Sequence, residues 1–246
     1  MAVLFSDGQV GSTMETASDF SAWTTTSTGN GGTTPTVSTT QAHHGSNGIK
    51  LQISTNAGSW SLVRKVLGSA YQTIYIREYC YVTELPDKNS TFLDYIGCGT
   101  DGVGTAIVGG IYRNADGNYQ WGVMFNDGVP PTFYYGDVLG SPPAINNWYL
   151  LELYVYVHAS AGQCTFWVNE AQQVAITSVD TDITGNISRV DARLECPAGG
   201  SQNATKIGYI DCFVVATEYI GAEASGGLSI PVAMHHLNII NKVIRG

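Results

Sequence analysis

Two glutamates stand in strand-like runs where a carboxylate could carry acid–base chemistry: Glu78 in R-E-Y-C-Y-V and Glu152 in L-E-L-Y-V. Cleaving a glycosidic bond by hydrolysis takes two carboxyl groups at a controlled separation. On a strand the second belongs two residues on, where it shares a face with the first. Those places hold Cys80 and Tyr154, so each glutamate reads as a solvent-facing strand residue without a partner. The histidines form two pairs, His43-His44 and His235-His236, with His158 apart. Neighbouring strand residues point to opposite faces, so neither pair is a bidentate metal site on its own, and zinc-type ligand spacings are absent. The five cysteines (Cys80, Cys98, Cys164, Cys196, Cys212) are odd in number and contain no C-x-x-C, which predicts buried free thiols, not a disulfide framework. No nucleophile elbow, phosphate loop or dinucleotide fingerprint occurs.

Aromatic rings beside amides and carboxylates are the other chemistry the chain offers, since rings form stacking platforms for sugars. The candidates are Tyr119, Trp121, Tyr134, Tyr135 and Trp60, with Asn126 and Asp127 beside them. Residues 129–137 (V-P-P-T-F-Y-Y-G-D) make the best single loop for this role. The competing reading is that these rings fill sheet faces, because aromatics favour strands.

Strands must position all of these groups. The organising stretch is 146–170, a long hairpin whose first arm alternates Tyr149, Leu151, Leu153, Val155 and Val157 with Trp148, Leu150, Glu152, Tyr154 and Tyr156. The first set is apolar and predicts a core face; the second is mixed and predicts an outer face. Ile49, Leu51 and Ile53 alternate in the same way, and further strands are expected at 2–5, 36–40, 60–66, 73–82, 90–97, 104–113, 119–125, 172–178, 187–194 and 205–216. Residues 24–34 (T-T-T-S-T-G-N-G-G-T-T) read as an exposed turn-rich loop. Helical periodicity is absent, so the fold class is all-β: a two-sheet antiparallel jelly-roll β-sandwich. With 246 residues and no linker through the middle, one large domain is expected.

Only 13% of the residues are charged, so Ser, Thr, Asn and Gln must build most of the surface. The net charge is −9 and the 11 basic residues are scattered, which excludes a nucleic-acid partner and disfavours strongly anionic polysaccharides. No run of about 18 apolar residues is present, so membrane insertion is not expected. The start M-A-V-L-F-S-D-G lacks the basic and apolar regions of a signal peptide.

The order of motifs is also informative. F-S-D-G and D-F-S-A-W are followed by T-V-S-T-T, A-H-H-G-S-N-G-I-K-L, I-Y-I-R-E-Y-C-Y-V, N-W-Y-L-L-E-L-Y-V, F-W-V-N-E and I-G-Y-I-D-C-F-V-V. Over residues 1–221 this series resembles the concanavalin A-like jelly rolls, in their laminin-G-like and polysaccharide-lyase-like branch. That superfamily holds lectins, glycanases, lyases and structural domains, so the resemblance implies a fold more than an activity. It implies a calcium ion between an early Asp and the last strand, which would fall on Asp7 and Asp211 with Glu15 or Asp19 added; Cys212 stands where the family often has a second acid. Arg77-Glu78 is similar to the R-x-E-L strand of alginate-lyase-like enzymes, but the Q-I-H triplet and the Y-x-x-G-x-Y strand are missing.

Residues 222–246 lie beyond the resemblance. A-E-A-S-G-G reads as a linker, and Leu228, Ile230, Val232, Met234, Leu237, Ile239, Ile240, Val243 and Ile244 make the remainder an apolar C-terminal arm. The missing catalytic set and this arm point to a non-enzymatic structural subunit, displayed on a virion or tail-like particle and docking on other protein subunits through the arm. A secreted lectin-like module binding surface glycans is the alternative, and a polysaccharide lyase the outsider. The expected location is accordingly a particle surface or the extracellular space.

Overall fold

The computed structural model describes residues 2–9, 12–127, 131–197 and 200–222. The period-2 runs become strands β1 (Val3–Asp7), β2 (Thr25–Gly29), β3 (Thr33–Ser38), β4 (Gly48–Ile53), β5 (Trp60–Tyr71), β6 (Thr73–Val82), β7 (Thr91–Thr100), β8 (Gly104–Arg113), β9 (Tyr119–Phe125), β10 (Thr132–Tyr135), β11 (Asn147–Tyr156), β12 (Gly162–Val168), β13 (Ala171–Val179), β14 (Ile187–Glu195) and β15 (Lys206–Ala216). One short helix, α1 (Thr13–Ala17), interrupts them. No helix of the described residues is long and apolar enough to cross a membrane.

The strands form two antiparallel sheets, a jelly-roll-like β-sandwich. The eight-stranded sheet runs β13-β12-β11-β6-β15-β4-β3, with β1 also paired to β15; the seven-stranded sheet runs β10-β9-β8-β7-β14-β5-β2. The core lies between them. Leu151, Leu153 and Val155 of β11 and Ile49, Leu51 and Ile53 of β4 face it as the alternation predicts, while Trp148, Tyr154 and Tyr156 remain partly exposed on the other face. All five cysteines are buried, and none is joined in a disulfide.

Three elements differ from the sequence reading. Residues 24–34 contain β2 and the start of β3 instead of a loop: the Thr-rich run suits a strand, and β2 pairs with β5 while the Trp60 indole lies against Gly29. The stretch 129–137 contains a strand, β10, paired with β9. Glu78 is not solvent-facing. The parity of β6 turns it into the core with Ile76 and Cys80, it is 0% exposed, and neither carboxyl oxygen has a partner. The apolar arm, with Leu228, Ile230, Val232, Met234, Leu237, Ile239, Ile240, Val243 and Ile244, lies outside the described residues.

Candidate functional site

On β14 the pattern R-V-D-A-R-L-E sends Val190, Ala192 and Leu194 into the core, so Arg189, Asp191, Arg193 and Glu195 stand together on the outward face of the seven-stranded sheet. Arg64, directly across on β5, grips Asp191 through Nε at 2.7 Å and Nη2 at 3.4 Å. Arg193 donates from Nε to Asp94 on β7 at 3.0 Å, from Nη1 to the Thr105 hydroxyl at 3.1 Å and from Nη2 to Glu195. Arg189 also donates to Thr105, whose hydroxyl in turn donates to Asp191 at 3.3 Å.

The cluster is packed tightly enough to hide its own charges: Asp94 and Asp191 are 0% exposed, Arg193 3% and Arg189 5%. Two polar atoms in it nevertheless lack a partner, Arg189 Nε and Asp94 Oδ2. Burial pushes the Asp94 carboxyl well above the usual carboxylate range, against the pull of Arg193. Burial draws Arg189 down, and the same effect on Arg193 is outweighed by Asp94, Glu195 and Asp191. Three guanidinium groups thus face three carboxyls, and the balance turns positive wherever Asp94 holds its proton.

Strand register extends this cluster into a row. Tyr135, Gly122, Gly110, Asp94, Glu195 and Trp60 are successive partners across β10, β9, β8, β7, β14 and β5. Five strand spacings make the row about 24 Å long, enough for several sugar units. Gly110 and Gly122 add no side chain to its floor. Gly97 lets Arg193 lie flat, since a Cβ there would stand 3.1 Å from Arg193 Cδ. On the aromatic bank Tyr135 stacks on Tyr112 with centroids 4.3 Å apart and on Phe133 at 5.8 Å. Burial, with Tyr112 beside it, pushes the Tyr135 hydroxyl far up, so it holds its proton across the neutral range. A cavity of about 470 Å³ opens beyond this bank, between residues 133–137 and 173–176 of β13.

The candidate sugar platforms are distributed unevenly over this frame. Tyr135 and Trp60 lie at opposite ends of the row. Asn126 reaches the cluster's edge, donating from Nδ2 to the Thr105 carbonyl at 3.2 Å. Asp127 accepts from Thr132 N within the turn to β10. Trp121 is enclosed in the core, 4% exposed, against Tyr149 and Phe166, so no ring face is open to a sugar. Tyr134 packs on the core residue Phe125, and Tyr119 donates to the Pro86 carbonyl with Arg113 over its ring.

The acids named for calcium do gather around the register break of β15, but their oxygens face N–H donors. Asp7 accepts from Gly8 N, Met14 N and Trp23 Nε1, Asp211 from His43 N, His44 N and Cys212 N, and Glu15 from Ser46 N and Asn47 N. Amide hydrogens hold the lone pairs an oxygen-ligated cation would use, so this set does not fit calcium. Arg77 and Glu78 point to opposite faces of β6 and cannot act on one substrate. Glu152 faces outward as expected but is covered: Ile220 N and Gly221 N donate to it at 2.9 and 3.1 Å, and Arg77 donates to the Gly221 carbonyl. Burial lifts Glu152 to about 7.

The β14 cluster was not singled out from the sequence. Its signal is the R-x-D-x-R-x-E run, four alternate charged positions in a chain that is only 13% charged.

No protein-family model matches the chain, and no curated protein does. Solved structures do match in fold. The endo-β-1,4-glucuronan lyase of the fungus Trichoderma reesei superposes with a TM-score of 0.63 at 12% identity, over 88% of this chain and 96% of its own. The cellulose-induced protein Cip1 gives 0.58 at 16%, over 89% and 100%. The alginate lyase Aly36B gives 0.52 at 13%, over 89% and 98%. At these identities the likeness is one of fold, a jelly roll related to those of polysaccharide lyases. It overturns the expectation of a non-enzymatic structural subunit on a virion or particle: the matches that span nearly the whole chain include two lyases, and none of the three is described as a particle protein.

Proposed function

We propose that this chain is a polysaccharide lyase of the concanavalin A-like type, acting on a uronate-containing polysaccharide laid across the outward face of the seven-stranded sheet. One observation carries the reading: buried Arg193 and Asp94 stand beside the glycine floor with Asp94 Oδ2 unpartnered, and Arg189, its Nε unpartnered, lies farther along β14 and meets Arg193 at the Thr105 hydroxyl. The lyase folds named above support it.

Elimination breaks the C5–H bond of a uronate, moves its electrons into a C4=C5 double bond and expels the C4 oxygen, which takes up a proton. The barrier lies in the charge that spreads onto the uronate carboxylate as the proton leaves C5. Guanidinium groups held in a dry setting meet that charge without reorganising. A sugar ring over Gly110 and Gly122 has Arg193 and Asp94 on one bank and Tyr135 on the other. Arg193 and Arg189 bind the carboxylate, protonated Asp94 adds a hydrogen bond to it, and the Tyr135 oxygen takes the C5 proton as its own hydroxyl proton passes to the departing C4 oxygen, so the tyrosine ends the step as it began.

The net charge of −9 opposes a polyanion only at long range. Charges beyond about 8 Å are screened at physiological ionic strength, so the local cluster governs the bound state. The test is incubation with polyglucuronate, alginate and a neutral β-glucan, followed by ultraviolet absorbance and mass spectrometry. The expected product is a 4,5-unsaturated oligosaccharide from one uronate polymer, with kcat/KM falling about 100-fold or more in Arg189→Ala, the loss typical of removing one oxyanion donor. Hydrolytic products, or no unsaturated product from either uronate polymer, overturn the proposal.

A further inference from the structure

Away from the sugar-binding row, three potential ligands meet where the loop between β3 and β4 crosses β15. We infer that His43, His44 and Cys212 form a zinc site. Their ligand atoms all lie within 4.8 Å of one another.

Local backbone geometry makes this meeting possible. His43 and His44 lie in a loop, not on a strand, so the rule that sends neighbours to opposite faces does not apply and their rings sit 4.7 Å apart. Both backbone amides are tied to Asp211 Oδ2, at 2.7 and 2.9 Å, which fixes the loop beside the residue preceding Cys212. The register of β15 against β6 breaks between Asp211 and Val214, and Cys212 takes φ 52°. That irregularity places Cys212 with Tyr79 and Leu150 on the outward face of the eight-stranded sheet instead of in the main core. An L-residue at positive φ costs energy, and here it brings a thiol toward two imidazoles.

The first histidine is already oriented. Its ring stacks on Tyr79 at 3.5 Å and meets Trp148 edge-on at 5.4 Å. His43 Nδ1 is buried with no hydrogen-bond partner, a cost that a bound cation removes.

A set of two nitrogens and one sulfur suits zinc and disfavours hard ions such as calcium and magnesium. Zinc bonds of about 2.0–2.3 Å place tetrahedral ligand atoms about 3.3–3.7 Å apart, so closure needs movements of about 1 Å. His44 is exposed, which gives the ion a route in and leaves its fourth position to water. Asp211, holding both histidine amides, keeps the loop that carries the two imidazoles beside Cys212. This site is independent of the proposed lyase activity.

The test uses tag-free protein in a His235→Ala/His236→Ala background, so that the second histidine pair does not compete. Zinc is titrated calorimetrically and cobalt(II) spectroscopically, with circular dichroism reporting the fold. The expected result is one equivalent of metal, a thiolate-to-cobalt charge-transfer band, and a raised Tm. Cys212→Ser should lose the band and weaken affinity about 100-fold or more with the fold intact, and His44→Ala should weaken it similarly. Absence of stoichiometric uptake, uptake without a thiolate band, or unchanged affinity in Cys212→Ser would each overturn the inference.

Discussion

Glu78 occupies a costly position for a carboxyl: it is wholly buried between the sheets, and neither oxygen has a partner. Burial, with Asp94 nearby, pushes it well above its ordinary value of 4.5. A carboxyl whose folded pKa exceeds its unfolded one takes up a proton on folding. Stability is therefore fully expressed below about 4.5 and falls as pH rises toward the folded value. Replacing Glu78 by Met removes the polar group while keeping its length. Glu78→Met should stabilise the protein by about 1–3 kcal/mol at neutral pH, the usual cost of an unsatisfied buried group, and flatten the decline of urea stability as pH rises above about 4.5. A destabilised variant with an unchanged pH slope would show that Glu78 has a partner in solution. The same logic applies to Asp94 on the face of the seven-stranded sheet: its carboxyl is also raised by burial, but it is held against Arg193 and not stranded between the sheets.

Among the elements, the seven-stranded sheet owes its open floor to glycines whose positions tolerate little else. A Cβ on Gly110 would fall 2.0 Å from the Leu93 carbonyl oxygen, a backbone atom of the neighbouring strand that cannot swing aside. Gly110→Ala should therefore lower stability by about 2 kcal/mol or more, the range for overpacked sites, read as a lower urea midpoint. Gly68 is the control: a Cβ there would meet nothing within 4 Å, so Gly68→Ala should leave the midpoint nearly unchanged or raise it slightly. Equal effects at the two positions would mean that the β7–β8 pairing yields to a side chain at Gly110. On the other sheet, the register break in β15 turns Cys212 outward, a displacement that regular alternation does not foresee.

For the molecule as a whole, strands from early and late in the sequence lie side by side in space. β1 pairs with β15, Val3 opposite Ala216 and Asp7 opposite Phe213. The Asp7 carboxylate accepts Met14 N at 3.0 Å and Trp23 Nε1 at 2.8 Å, and Trp23 packs on Phe5 and Phe213. Asp7→Ala leaves those buried donors unpaired and should cost about 3 kcal/mol, more than a surface carboxylate would. Such long-range pairing also slows folding, so stopped-flow refolding of the intact chain is expected on the millisecond-to-second scale, with Asp7→Ala changing the equilibrium midpoint. A surface-like loss below about 0.5 kcal/mol would show that the closure contributes little.

Alternation is a local property, and local properties were readable along the chain. The parity of 149–157 assigned the core face of β11, the spacing of Ile49, Leu51 and Ile53 assigned β4, and the sum of such runs specified an all-β sandwich. β2 and β10 escaped because short Thr- and Tyr-rich strands gain their stability from partners β5 and β9, not from their own pattern. The candidate sites were legible only in part. Trp60 and Tyr135 could be named as rings, yet they lie 75 residues apart in sequence and share a row only through five strand pairings. Arg64, Asp94, Thr105 and the charged run of β14 come from four strands, and His43, His44 and Cys212 from a loop and a register break. Sequence carries the period of each strand because that depends on neighbours along the backbone. Which charges meet, which carboxyl is stranded in the core and which ring keeps an open face depend on pairing across the sheets, and that is settled where the strands pack.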